Sequence, residues 1–384
     1  MSFLAVVSFT AFIAVLGYVI TPDSTPYANE QFLEFTAQKP GFRASILNVH
    51  KNEHTPRVHF FRRMFFGQRN PYTPIPFDSY HYDEDYIVLK VIIDEDKDII
   101  VPRRFRMADV VYPLSITDSR YDFDGGYVSF VDIDEQAHSI ELSDLKKKVE
   151  NYHLTTKRFL LGTDRFGRDV LSQLIIGARV SLSVGFIAVF ISLLIGITLG
   201  AVSGYFKGWV DTVIVWLINV VWSIPTLLLV IAITFALGKG FWQIFVAVGL
   251  TMWVEVARVV RGQVLSVREK EYVEATKALG YGSFRIIFRH ILPNVISPVI
   301  VISAANFASA ILIEAGLSFL GIGVQPPMPS WGTMIKEHYS YIILDKAYLA
   351  ILPGLAIMSM VMAFMIIGNG LRDALDVKTV SLGK

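Results

Sequence analysis

Apolar positions divide the chain into three zones. Phe3 to Ile20 is almost wholly apolar, residues from about 22 to 160 hold no run long enough to span a bilayer, and residues from about 174 to 371 are mostly apolar. A helix needs about 20 apolar residues to cross the hydrocarbon core. The third zone supplies five such runs, near residues 181–203, 213–237, 242–260, 295–318 and 347–368. With the first run they predict six transmembrane helices. The first run lacks the basic residues that precede the core of a signal peptide and is long for one, so we read it as a retained helix. A signal peptide would also leave the next segment outside the cytoplasm.

The polar zone has the pattern of a folded domain. Tyr86-Ile87-Val88-Leu89-Lys90-Val91-Ile92-Ile93 is rich in β-branched residues and is followed by the acidic turn Asp94-Glu95-Asp96. Tyr127 to Ile133 alternates as a half-buried strand does, and His138 to Leu142 suits its hairpin partner. Ser143 suits a helix N-cap, with Asp144 in the first turn and Lys146-Lys147-Lys148 after it. His59 to Phe66, an aromatic run with two arginines, fits either a binding surface or an amphipathic piece lying near the membrane or against the domain.

Composition narrows the class. The chain is 53% hydrophobic, with net charge +1 and no cysteine. Its mean hydropathy is +0.48, too apolar for an ordinary soluble protein. The charge implies no bulk attraction to nucleic acid, and without cysteine there is no disulfide, cysteine-ligated zinc or thiol catalysis. Basic residues fix an orientation. The loop near 258–290 holds Arg258, Arg261, Arg268, Lys270, Lys277, Arg285 and Arg289, so it is expected in the cytoplasm, as is the tail with Arg372, Lys378 and Lys384. Counting back, residues 22–175 lie outside, as does the proline-rich loop 321–346.

That cytoplasmic loop is the most specific signal. Val273 to Leu279 suits a short helix that Gly280 ends. A second amphipathic run, Ser283 to Ile291, is expected to stop at Pro293. Two short helices joined at a glycine make a knob that can fill a groove on a partner, with Val273, Ala278, Leu279 and Tyr281 packing and Glu274 and the basic residues setting register. Within the fifth expected helix, Ser303, Asn306, Ala310 and Glu314 share one face among small residues. A polar stripe in a membrane faces protein or water, so Ser303, Asn306 and Glu314 are candidates for a pathway or a seam with another subunit. For Glu314 a structural hydrogen bond is the plainer alternative. Pro225 and Pro298 are expected kinks, and Glu255 and Arg258 an expected pair at helical spacing.

The string from Glu274-Ala275-Thr276-Lys277-Ala278-Leu279-Gly280 through Ile291-Leu292-Pro293 resembles the coupling loop of ABC importer permeases. Leu161-Gly162-Thr163-Asp164-Arg165-Phe166-Gly167-Arg168-Asp169 with Gly177 to Leu182, Glu314 to Gly321 with Gln325-Pro326-Pro327 and Pro329-Ser330-Trp331-Gly332, and Gly368 to Asp376 are similar to permeases of the dipeptide, oligopeptide and nickel importers, "C" type. The resemblance covers about 160–378 and does not extend to about 22–155. It implies an all-α polytopic membrane protein, a six-helix type I importer permease, and the residue pattern of the polar zone adds an α+β extracytoplasmic insertion after the first helix. Its parts would be the first helix 1–21, the inserted domain 22–160, a lead-in to helix two at 161–176, a membrane core 177–372 with the coupling loop about 261–294, and a cytoplasmic tail 373–384.

The resemblance assigns contact with the ATPase to Glu274, Ala275, Lys277, Ala278, Leu279, Gly280, Ile291 and Pro293. It marks Gly162, Thr163, Asp164, Gly167, Arg168 and Asp169 as a lead-in motif. We read the charged residues of that motif as a local ion-pair network, with substrate contact the alternative. Pro326, Pro327 and Trp331 would meet a binding protein or cap the pore, or simply anchor the last helix at the interface. The implied partners are a second homologous permease, two ABC ATPase subunits, an extracytoplasmic substrate-binding protein and the bilayer, with no nucleic acid. The chain carries no cofactor and no metal site in this reading; ATP and Mg belong to the ATPase subunits. Consistently, no Gly-x-x-x-x-Gly-Lys-Ser/Thr loop and no His-Glu-x-x-His occurs. Cargo is read as di- or oligopeptides, with nickel or another small solute as the alternative, and a membrane-tethered receptor acting through 22–160 as a different class. Gln173 and Asn369 depart from the family pattern, which usually has Arg and an acidic residue there.

Overall fold

The computed structural model describes residues 2–56, 58–94, 99–117, 120–238 and 240–375. It divides into two compact units, residues 16–173 and residues 1–15 with 174 onward. The first helix, α1 (Ser2–Ile20), carries no charge, and its last turn, from Leu16, belongs to the first unit.

The unit 16–173 is built from three antiparallel three-stranded sheets. β1 (Phe42–His50), α2 (Phe60–Phe66) and β2 (Tyr72–Phe77) are followed by β3 (Ser79–Asp83), β4 (Tyr86–Asp94) and β5 (Ile99–Arg106). Then come α3 (Met107–Val111), β6 (Tyr121–Asp124), β7 (Tyr127–Val131), β8 (Ala137–Glu141), α4 (Leu142–Lys148) and β9 (Leu154–Phe159). The sheet orders are β2-β1-β9, β3-β4-β5 and β6-β7-β8. The expected hairpin forms, with Val128 opposite Ile140 and Phe130 opposite His138. Inward positions of these strands and helices make one core, including Leu47, Ile87, Leu89, Met107, Val128, Phe130 and Leu145. Apolar burial therefore holds the unit without covalent staples. Ser143 is not the N-cap expected of it. It sits inside α4, whose N-cap is Glu141, and its hydroxyl donates to the Glu141 carboxylate at 2.7 Å. The acidic turn lies partly, and the tail beyond residue 375 wholly, outside the described residues.

The two ends of this unit are tied together. The Asp23 N–H donates to Ser172 Oγ at 3.0 Å, and the Phe32 N–H to the Phe166 carbonyl at 3.2 Å. Ala37 N–H reaches the Asp164 carbonyl at 2.8 Å. Gly167 makes this approach possible, because a Cβ there would fall on the Phe32 backbone.

The second unit is helical. It contains α5 (Val170–Phe206) from Leu174 onward, α6 (Gly208–Trp222), α7 (Thr226–Leu237), α8 (Phe241–Arg268), α9 (Glu271–Ala278), α10 (Ser283–Ile286), α11 (Leu292–Phe319), α12 (Trp331–His338) and α13 (Tyr348–Leu375). Among the described residues five helices are long and apolar enough to cross a membrane; a sixth crossing requires counting the bent pair α6–α7 as one span. Sequence reading expects a kinked helix over 213–237. Instead the chain breaks at Ser223-Ile224-Pro225 and turns through 93°. Proline lacks the N–H that would continue the ladder and disfavours helix in the residue before it. With 37 residues, α5 is about 55 Å long, well beyond a hydrocarbon core. Gly196, Gly200 and Gly204 put one bare stripe of α5 against α8, where a Cβ would strike Val256, Ala257 and Val264. Such stripes let two apolar helices approach closely.

Candidate functional site

Three groups of residues carry the chemistry that the sequence singles out. The first is the loop between α8 and α11. Here α9 has Glu271 and Glu274 in its first turn and Lys277 in its last, matching the helix dipole. It closes with paired bonds, Gly280 N–H to the Lys277 carbonyl at 2.9 Å and Tyr281 N–H to the Thr276 carbonyl at 3.2 Å. This Schellman closure needs a left-handed residue, and Gly280 supplies it at φ +77°. Val273 is buried with Val264, Val267, Ile286, Ile287 and Ile291. Val273 and Ile291 therefore hold the knob together from inside and are not available to a partner. Tyr281 is held between the His290 ring and the Arg285 guanidinium.

The knob presents Glu274, Ala275, Lys277, Ala278, Leu279 and Gly280 to the outside, together with Pro293. Leu279 is 71% exposed and Phe284 74% exposed, and the Phe284 and Phe288 rings meet at 4.4 Å. The second run does not stop at Pro293. Residues Ile287–Ile291 form a π turn that leads directly into α11, with Pro293 in its first turn. A widened turn accommodates the proline ring and its missing N–H, so the knob is continuous with a membrane-length helix.

The base of the knob is latched to the start of α6 and the end of α5. Arg261 gives a bidentate pair to Asp211, both bonds 2.7 Å, and Ser203 also donates to that carboxylate. Lys207 pairs with Glu269 at 2.7 Å, and Arg268 donates to the Tyr205 carbonyl at 2.6 Å. Sequence reading used Arg261 and Arg268 only for orientation and missed Ser203, Lys207, Asp211 and Glu269. The signal was present, since Asp211 is the only acidic residue from 170 to 254. Glu255 and Arg258 do not pair. Arg258 lies over the Trp222 ring at 3.5 Å, and Glu255 faces a cavity of about 320 Å³ lined also by Trp222, Thr226, Thr251, Ser309 and Leu312.

The second group surrounds Glu314. This carboxylate is fully buried, accepting from Ser318 Oγ at 2.7 Å and Ser181 Oγ at 3.3 Å. Ser330 lies 3.4 Å from Ser318 and caps α12 reciprocally with Thr333. Trp331 is buried as well, donating its Nε1–H to the Leu174 carbonyl at 2.9 Å. Trp331 therefore pins the loop onto α5, and only Pro326 and Pro327 of the three expected outer-loop residues are exposed. Asn306 is buried, and Ser303 bonds back to its own helix at the Val299 carbonyl. The polar stripe thus faces the interior of this chain, whereas the cavity lies along the Ser309 and Leu312 side of α11.

The third group is the lead-in motif in the unit 16–173. Asp164 accepts from the Phe166 and Arg168 N–H groups and from Arg168 Nε at 2.6 Å. Thr163 bonds with Gln38 N–H, and Gly162 takes φ +78°. Asp169 caps α5 through the Ser172 N–H at 2.8 Å and the Ser172 hydroxyl. Burial pushes the Asp169 carboxyl above the ordinary range, against the two Ser172 bonds. Thr163, Asp164, Arg168 and Asp169 are all buried, the arrangement of a structural network. Gln173, the departure from the family pattern, donates to the Tyr27 and Ala28 carbonyls. Asn369 is exposed on α13.

Five membrane-length helices among the described residues, with an exposed knob on a buried frame, have the architecture of a polytopic membrane subunit. Residues 196–380 match the family described as "Binding-protein-dependent transport system inner membrane component". The chain is 41% identical over 221 residues to the glutathione transport system permease protein GsiD of Pectobacterium atrosepticum, covering 58% of this chain and 73% of that one. It is 43% identical over 220 residues to the dipeptide transport system permease protein DppC of Alkalihalophilus pseudofirmus, covering 57% and 72%. Among solved structures it is similar to the inward-facing MetNI methionine ABC transporter, at 17% identity and TM-score 0.45, over 53% of this chain and 96% of that one. The chain belongs to the binding-protein-dependent transport system inner membrane component family and is a permease subunit of an ABC importer, a transport component without its own catalytic site. Such a subunit works with an ATPase, a binding protein and a second permease.

Proposed function

We propose that this chain forms half of the translocation pathway for small peptides and is driven by two ATPase subunits that grip the knob from Glu269 to Ile291. The relatives named for dipeptides and glutathione support a peptide cargo. The observation that carries the coupling role is the knob itself. Its exposed Leu279, Phe284 and Phe288, beside Glu274 and Lys277, form a face suited to a groove. Its buried Val273 and Ile291 and its continuity with α11 make it stiff enough to carry a push. ATP and Mg sit on the ATPases, and closure of those subunits moves the knob and, through α8 and α11, the helices.

Counting α6–α7 as one broken span gives six crossings. The basic knob then lies in the cytoplasm and the unit 16–173 outside it, where a binding protein delivers cargo. The cavity beside Glu255, Thr251 and Ser309, and not the Glu314 stripe, is the part of the pathway wall on this subunit. Glu314, Ser318 and Ser330 hold the outer ends of the helices together. Because coupling of binding is reciprocal, ATP binding that favours the substrate-receiving state is itself favoured by delivered substrate.

The test is a pull-down of the tagged full chain in mild detergent, with the ATPase activity of the eluate assayed. Recovery of ATPase subunits and a second permease, lost in Glu274→Arg and Gly280→Pro, is the expected result. Recovery of the chain alone, under conditions that preserve other membrane complexes, sinks the coupling role and favours a receptor acting through its inserted domain.

A further inference from the structure

The helix α2 has an unusual surface. Of its seven residues only Met64 is buried; Phe60, Phe61, Phe65 and Phe66 are all exposed, Phe61 by 72% and Phe66 by 71%. Arg62 and Phe66 lie on the side of the helix opposite Met64. Residues 54–77 hold four arginines and no carboxylate. A water-facing helix has no reason to display four phenylalanines, and a patch of this kind marks a covered or membrane-contacting surface.

The position of α2 says what covers it. Past α1 the chain folds back on the last turn of that helix, where Tyr27 N–H donates to the Tyr18 hydroxyl at 2.9 Å. The Asp23 carboxylate fixes the bend by accepting from Thr25 and Glu30 N–H groups, both at 2.9 Å. The C-terminus of α2 is clamped to this bend. Gln68 N–H donates to the Ser24 carbonyl at 2.9 Å, and a Cβ on Gly67 would come within 2.8 Å of that same oxygen. Ser24 is four residues beyond Ile20, so α2 ends within about 14 Å of chain from the end of α1. The headgroup layer reaches about 5–7 Å beyond the hydrocarbon on each side. A helix clamped to a bend this close to the end of α1, with aromatic rings and arginines among its exposed residues, has the composition of an interfacial helix.

We propose that α2 lies in the surface of the bilayer that α1 crosses, its phenylalanines at the headgroup–acyl boundary and Arg62 and Arg63 on lipid phosphates. The inserted unit then has a second foothold on the membrane, close to the first. This rests on α1 spanning the bilayer and not on the identity of the cargo.

The absence of cysteine makes the test direct. Phe61→Cys and Phe66→Cys, each labelled with an environment-sensitive fluorophore, are reconstituted as full-length protein in phosphatidylcholine–phosphatidylglycerol vesicles. Nitroxides carried near the lipid headgroup serve as quenchers. Phe12→Cys in α1 reports insertion, and Gln136→Cys, at an exposed turn of the β7–β8 hairpin, reports a water-facing site. The expected result is lipid-dependent quenching of about twofold at both α2 positions and little at Gln136→Cys. Quenching at Phe12→Cys with none at either α2 position overturns the proposal. So does a label at α2 that stays open to aqueous iodide until a partner protein is added, which would make the surface a protein-docking site.

Discussion

The knob between α8 and α11 and the cluster around Glu314 are opposite solutions built on the same helix. At one end of α11 the chain leaves Leu279 and Phe284 uncovered and buries Val273, Ile286, Ile287 and Ile291 as a frame. Near the other end it buries a carboxylate completely and gives it serine hydroxyls from α5 and from α11 itself. Exposed apolar groups on a stiff frame have something to gain from a partner. A buried polar group with its bonds made has nothing to gain, and loses if a bond is removed. On the proposed coupling role, the contrast separates where the subunit would be moved from where it is held.

The sharpest way to break that contrast is Gly280→Pro. Proline is fixed near φ −65° and has no N–H, so it can neither take the φ of +77° nor make the bond to Lys277. Transport is expected to fall to background with normal insertion, and the lost cap is expected to lower the melting temperature only slightly because the knob is one local element. Glu314→Ala should do the reverse. It leaves buried hydroxyls without an acceptor, at a cost of about 3 kcal/mol, read as a drop in melting temperature in detergent while ATPase subunits still co-purify. Glu314→Gln, which retains an acceptor, should lose less. If Glu314→Ala melts normally and blocks transport, the cluster belongs to the pathway after all.

Next in size is the double change Leu279→Ala with Phe284→Ala, expected to weaken ATPase binding by about 2 kcal/mol, or some thirtyfold, with no change in melting. Asp211→Asn removes the bidentate partner of Arg261. That pair is partly solvated, so the expected loss is only about 1 kcal/mol, with looser coupling between ATP hydrolysis and transport.

The smallest effect is in the inserted unit. Burial lowers the His153 pKa from its ordinary 6.5, and the nearby His50 adds to this against a bond to the Asn48 carbonyl. The unfolded chain therefore binds the proton first, and stability present above pH 6.5 is lost as pH falls toward the folded value. A slight drop in melting temperature from pH 7 to 5, absent in His153→Gln, checks it.

Much of the membrane unit was legible because apolar run length is a strong signal. The knob was legible because Gly280 has a conformational task that few other residues can perform. Pairwise geometry was hidden. Ser303, Asn306 and Glu314 share a face by periodicity, but periodicity cannot say whether that face meets water or α5. Helical spacing put Glu255 beside Arg258, yet Trp222 took the arginine. At Pro225 the expected kink became a full break, since a proline followed by an apolar run has no means of signalling its own angle. In the inserted unit the strands of one hairpin were visible, while the three-sheet arrangement depends on long-range pairing such as β1 with β9.

The bonds from Asp23 to Ser172, Phe32 to Phe166 and Ala37 to Asp164 mean that the chain enters and leaves the unit 16–173 through one sewn seam. Its more than one hundred residues therefore form a loop whose ends are bonded to each other, and the entropy of holding those ends together grows only slowly with the loop's length, by about 0.6 kcal/mol per doubling. Such a module is portable. It can be enlarged or exchanged without breaking that seam, so that its history can run independently of the rest of the chain.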